Sequence, residues 1–188
     1  MTLSIGGHQE QGSRNYQEDR AAVHFCRAQE ECVFYNAGTC PCVVSGLVGA
    51  IYDGHSGEDA SKYLQTYLGN AVLKAVYDLK RQYGKVRDCK SFGDAIKRCF
   101  AEQDSIILAE DAIKDGSTMS SLSEEHVACV IASDGLWDVI SEEEVAEAVV
   151  VAREKFPLLT PRDLSEELCR MALLRNSQDN ITAGNCEK

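Results

Sequence analysis

Four acidic stretches of the chain are placed where they could do chemistry. The apolar run "LVGAIYDGHSGED", Leu47 to Asp59, stops on Asp53 and Gly54 with His55 next, and a second run, "VACVIASDGLWDV" from Val127 to Val139, stops on Asp134 and Gly135. Near the N-terminus "GSRNYQEDR" sets Arg14 just ahead of Glu18 and Asp19, and near the C-terminus "NSQDNIT" carries Asp179 and Asn180. Taken singly, an Asp-Gly pair after a strand is an ordinary turn. A single loop carboxylate, arginine or histidine is most simply a solvated surface group. Four such stretches at element boundaries point further, because carboxylates delivered together to strand ends are oxygen donors suited to hard divalent cations.

The elements that must position these residues follow from apolar periodicity. Ala60, Tyr63, Leu64, Tyr67, Leu68, Ala71 and Ala75 fall on one helical face, and Phe92, Ile96, Cys99, Phe100, Ile106 and Ile107 mark a second long helix. A capping box from Ser141 to Glu144 opens a third helix, which presents Val145, Ala148, Val149 and Ala152; Thr160 with Pro161 opens a fourth, through Leu164, Leu168 and Met171. Strands are expected over Ala21–Phe25, Cys32–Tyr35, Cys42–Tyr52 and Val127–Ser133, with a short last one from Asn180. "DGSTMSSLSEEH", Asp115 to His126, reads as a polar linker. Mixed helix and strand in 188 residues define an α+β class and one domain over 1–188.

Composition removes other classes. A net charge of -11 argues against nucleic acid as a partner, since counterion release rewards a clustered basic surface. With no long apolar stretch and no signal-peptide pattern, the expectation is a soluble protein away from the membrane, cytoplasmic or nuclear. The nine cysteines read as reduced thiols, and Cys26, Cys32, Cys40 and Cys42 lack the paired spacing of a structural zinc site. Trp137 reads as a residue sealing a core edge, and His8, His24 and His126 receive no role.

In that order, "GSRNYQEDR", "AIYDGHSG", "IASDGLWDV" and "SQDNIT" resemble the signature blocks of the metal-dependent protein serine/threonine phosphatases, the PP2C or PPM family. The resemblance implies two β-sheets stacked face to face with helices outside, and two Mg²⁺ or Mn²⁺ ions at one end of the sandwich. It implies that Asp53 bridges both ions with the Gly54 carbonyl completing one shell. Asp134 and Asp179 would hold one ion, Glu18 the other, and Asp19 would be a neighbouring acid. Arg14 would hold the substrate phosphate, and His55 would be the general acid. The implied activity is hydrolysis of phosphoserine and phosphothreonine in proteins by a metal-activated water, the implied partners being phosphoproteins.

The residue types suit that chemistry. Crowded carboxylates repel one another and retain protons until divalent ions neutralise them. Two ions can ready a water for attack on phosphorus, an arginine can stabilise the phosphoryl oxygens, and a histidine can protonate the leaving alkoxide near neutral pH. The resemblance has a gap: "DGSTM", Asp115 to Met119, resembles a strand opening, yet "EEHVACVIASDG" follows within a few residues, so part of the central sheets is expected to be missing near 119–126. The chain also ends soon after "DNIT", where the family runs on through one more strand. The strands on either side of the gap must then pair or leave open edges, inviting a second copy or a complementing partner. Two alternatives follow. A haloacid-dehalogenase-type phosphatase needs an early Asp-x-Asp that "YDGHS" does not supply. A catalytically impaired regulatory or binding protein would keep the fold while losing turnover.

Overall fold

A computed structural model describes residues 4–26, 46–83, 89–110, 113, 116–120 and 128–187. In chain order the elements are β1 (Ser4–Glu10), β2 (Arg20–Cys26), β3 (Gly46–His55), α1 (Asp59–Tyr83), α2 (Cys89–Ala109), β4 (Gly116–Ser120), β5 (Ala128–Ala132), α3 (Asp134–Trp137), α4 (Glu142–Lys155), α5 (Pro161–Leu174) and β6 (Ile181–Glu187). Two antiparallel sheets form, with strand orders β1-β6-β5 and β2-β3-β4.

Alternation along the strands explains the layers. On β3, Ala50 and Tyr52 turn toward Leu68 and Val72 of α1 and Cys99 of α2, making one core. On β5 and β6, Ala132, Ile181 and Ala183 turn toward Leu136, Val145, Val149, Leu164, Leu168 and Ala172, making the other. The opposite faces meet between the sheets, so the order is helices, sheet, sheet, helices, as the resemblance implies. There Ile131 reaches from β5 over glycine: its Cγ1 would stand 3.3 Å from a Cβ on Gly184, and its Cδ1 3.9 Å from one on Gly49. Small residues let the sheets approach, and beside Ile131 they leave an apolar cavity of about 290 Å³.

The helix entries match expectation. Ser141 Oγ accepts from Glu144 N and the Glu144 carboxylate accepts from Ser141 N; Thr160 and Asp163 repeat the exchange with Pro161 in the first turn. Trp137 does seal the core, donating from Nε1 to Ala132 O at 3.0 Å.

Three strand expectations are corrected, and one strand, β1, is additional to them. The apolar run of β3 ends at Tyr52, but the strand continues through Asp53, Gly54 and His55 because β4 pairs with all three. β4 itself lies in the stretch whose composition read as linker, where the resemblance of "DGSTM" to a strand opening implied a strand; its small polar residues carry no periodic signal, and its ladder is with β3. β1 has no apolar alternation and forms by pairing along its whole length with β6. β6 is a full seven-residue strand for the same reason. The expected strand Cys32–Tyr35, residues 42–45, Cys40 and His126 lie outside the described residues. β3 and β5, the two strands expected to flank the gap, belong to different sheets, and among the described residues β4 and β5 are both edges.

Candidate active site

Asp19, Asp53 and Asp134 influence one another at one end of the sandwich. Asp53 lies on the inner face of β3, two residues short of its end, and Asp134 opens the short helix α3 directly after β5. Burial first, then the charges of Asp19 and Asp134, push the Asp53 carboxyl up to about 7; a hydrogen bond to the Asp134 side chain acts the same way, and one from the Asp134 backbone opposes it. Asp19 is 1% exposed, and burial raises it as well, against stabilising hydroxyl donors from Thr182 and Ser133. Glu18 is 7% exposed, and its Oε1 is buried with no hydrogen-bond partner among the described residues.

A set of short polar side chains holds these acids in place. Asn180, 3% exposed, accepts at Oδ1 from Glu18 N at 2.8 Å, and its Nδ2 donates to Gln11 O at 2.8 Å and Tyr16 O at 3.1 Å. One amide thereby ties the 11–18 loop to the start of β6. Ser61 Oγ, from α1, donates to Glu18 O at 2.7 Å, and Thr182 Oγ1 donates to Asp19 Oδ2 at 2.7 Å. Gln9 Nε2 steadies Thr182 at 3.0 Å, and Ser177 Oγ donates to Gly135 O at 2.6 Å. Two glycines are required by the closeness of this packing. A Cβ on Gly54 would lie 2.6 Å from Glu18 O, and one on Gly135 would lie 2.0 Å from Asn180 O.

Arg14 extends from the same loop and donates from Nη2 to Asp179 Oδ2 at 2.6 Å, with both side chains substantially exposed. His55, on the same face of β3 as Asp53, is exposed at the strand end, where Ser56 takes a positive φ of 65° and turns the chain away. The structure thus brings Asp19, Asp53 and Asp134 together and pairs Arg14 with Asp179. Gly54 lies against the Glu18 backbone, and His55 is left at the rim. Among the described residues no group of three or more His, Cys, Asp or Glu side chains stands gathered so as to hold a metal ion.

By donor chemistry, though not by gathered geometry, these residues suit hard cations. The donor set is all oxygen, it includes a buried carboxylate oxygen with no partner, and its crowded acids hold a proton near neutrality that a cation would displace. The reading of the acids alone did not single out Ser61, Asn180, Thr182 and Gln9 as the residues that fix them. A usable signal was present, since Ser133 precedes Asp134, Asn180 follows Asp179, and Thr182 is one strand period beyond Asn180.

The two stacked antiparallel sheets with helices outside are the protein phosphatase 2C fold. Among solved structures, a Caenorhabditis elegans sex-determining protein superposes with a TM-score of 0.69 at 16% identity over 99% of this chain and 65% of that one. Serine-threonine phosphatase 2C from Toxoplasma gondii gives 0.63 at 13% identity over 97% and 93%. The catalytic domain of the phosphatase PstP in complex with two manganese ions gives 0.55 at 13% identity over 98% and 97%. A family model for protein phosphatase 2C matches residues 116–181. Probable protein phosphatase 2C 25 of Arabidopsis thaliana is 29% identical over 157 residues, 80% of this chain and 36% of that protein. Probable protein phosphatase 2C 59 of Oryza sativa subsp. japonica is 34% identical over 93 residues, 50% of this chain and 24% of that protein. The chain belongs to the protein phosphatase 2C family, and it spans about a third or less of the length of these two curated relatives. No helix among the described residues is long and apolar enough to cross a membrane.

Proposed function

We propose that the chain is a divalent-metal-dependent phosphatase acting on phosphoserine and phosphothreonine in proteins. The observation that carries this reading is the acid cluster at the sandwich end, where Asp53 is pushed up to about 7 beside Asp19 and Asp134, next to the unpartnered Oε1 of buried Glu18. In this reading Asp53, the Gly54 carbonyl, Asp134 and Asp179 would hold Mg²⁺ or Mn²⁺, with Glu18 serving a second ion and Asp19 behind. A pair of such ions, when bound, acidifies water and neutralises charge on the phosphoryl group.

The chain's own residues account for the remaining work. Asp179 now holds Arg14, so Asp179 must leave this ion pair to act as a ligand, and that frees the guanidinium to take two phosphate oxygens in its planar fork. Asn180 keeps Arg14 and Glu18 in a fixed relation to Asp179, so the loop and the acids are aligned before substrate arrives. His55 at the exposed rim gives its ring N–H proton to the serine or threonine Oγ as that oxygen leaves.

A second reading is a phosphatase-like regulatory or binding protein without turnover, favoured by the two three-stranded sheets among the described residues. Hydrolysis of p-nitrophenyl phosphate and a phosphothreonine peptide by metal-stripped protein, with Mn²⁺ or with chelator, separates the two. Mn²⁺-dependent turnover that Asp53→Asn abolishes supports the phosphatase. Cation binding by calorimetry without turnover supports the second reading, and equal hydrolysis in chelator overturns the metal-dependent mechanism.

A further inference from the structure

Cys129 and Cys186 face each other directly across the β5–β6 ladder. The ladder's phase follows from its site end, where Ser133 N donates to Thr182 O at 3.0 Å. Hydrogen-bonded pairs recur at every second position, so 131 with 184 and 129 with 186 are also closely bonded pairs, whose Cα atoms stand about 5.5 Å apart. That separation coincides with the usual Cα spacing of a disulfide, about 5.5–6 Å. Directly opposed residues project to the same face. For this pair it is the inner one, since both line the cavity between the sheets together with Ile131 and Gly184. Both cysteines are half-buried thiols, and β5 is an edge strand among the described residues, so a small reagent can approach. Burial and then the neighbouring Cys186 raise the Cys129 thiol, an independent sign that the two sulfurs are close. Cys169, by contrast, is fully buried in the helix core and pushed up to about 12.

We propose that Cys129 and Cys186 are a two-electron oxidation site, which a peroxide converts to an intrachain disulfide clasping β5 to β6. One thiolate sulfur attacks a peroxide oxygen and the O–O bond breaks, giving a sulfenic acid and one water. The second sulfur then attacks the sulfenyl sulfur, the S–O bond breaks, and the departing hydroxide leaves as water with the second thiol's proton. Two thiols and one hydrogen peroxide yield one disulfide and two waters. The clasp acts on the two strands that lead to Asp134 and from Asp179, and it closes a loop between positions 129 and 186 in the unfolded chain. The inference rests on the sheet alone and is independent of the proposed phosphatase activity.

The test treats the purified full chain with hydrogen peroxide, followed by non-reducing peptide mass spectrometry and thermal unfolding. The expected result is a linked peptide pair containing Cys129 and Cys186, about 2 Da lighter than the two thiols, and a Tm rise of roughly 5–10 °C that dithiothreitol reverses. Cys129→Ser and Cys129→Ala should both abolish the rise, and Cys99→Ser should leave it intact. Linkage through other cysteines, oxidation of Cys129 only to sulfinic acid, or an unchanged Tm rise in both Cys129 variants overturns the proposal.

Discussion

Replacing Asp53 with asparagine separates what the site does for stability from what it does for cations. In the folded protein the carboxyl is pushed up from 3.8 to about 7, chiefly by burial and then by Asp19 and Asp134. The unfolded chain therefore ionises Asp53 near pH 4 while the folded chain keeps it protonated, and stability falls as pH rises through this window until it levels off above pH 7. A displacement of about three units corresponds to about 4 kcal/mol at ~1.4 kcal/mol per unit. Solvent screening of a half-exposed side chain reduces that to roughly 1–2 kcal/mol. Asparagine carries no charge, still accepts from the Asp134 backbone, and can donate its amide to the Asp134 carboxylate. In chelator at pH 8, Asp53→Asn should melt roughly 3–6 °C above wild type, with a smaller gap at pH 5. Asp19 is raised in the same direction and its charge acts on Asp53, so the difference between wild type and variant reports Asp53 together with its coupling to Asp19. Adding Mn²⁺ should raise the wild-type Tm and leave the variant's unchanged. The reasoning fails if the variant is no more stable than wild type in chelator at pH 8, as measured by calorimetry or urea unfolding.

Two further outcomes follow from the hydrogen-bond network and the helix caps. Asn180→Ala leaves Glu18 N and the carbonyls of Gln11 and Tyr16 without their partner and should lower stability by roughly 2–4 kcal/mol in urea unfolding. Glu144, exposed but held at about 2 by Arg175 and then the Ser141 backbone, contributes stability above the unfolded carboxyl pKa that is lost as pH falls toward 2. Glu144→Gln should therefore narrow its stability gap to wild type between pH 5 and pH 2.5.

The helices and acids were legible in the sequence because their signals are local. Capping boxes at Ser141 and Thr160 and the 3.6-residue spacing from Ala60 onward each need only a few neighbouring residues. β1 and β4 carry no such signal: "SIGGHQE" and "GSTMS" are small and polar, and become strands only because β6 and β3 present bonding edges to them. The same distinction runs through the site. Asp53 and Asp134 announce themselves by ending apolar runs, whereas Asn180 matters through bonds to residues more than 160 positions away, which no local pattern encodes.

The pairing of β1 with β6 brings Ser4 opposite Glu187 and Glu10 opposite Ile181. Nearly the whole described chain separates these partners, so the sheet carrying Asp134 and Asp179 closes through the least local strand pairing among the described residues. Such contacts form late, because the entropy of closing a long loop is lost before they return any free energy. During synthesis the β2–β3 hairpin and its covering helices can assemble first, with Asp53 in position. Glu18, Asp19 and Arg14 must wait for Asn180, Thr182 and Asp179. Assembly of the acid cluster therefore reports the pairing of β1 with β6, and in the proposed reading a bound cation would favour the paired state.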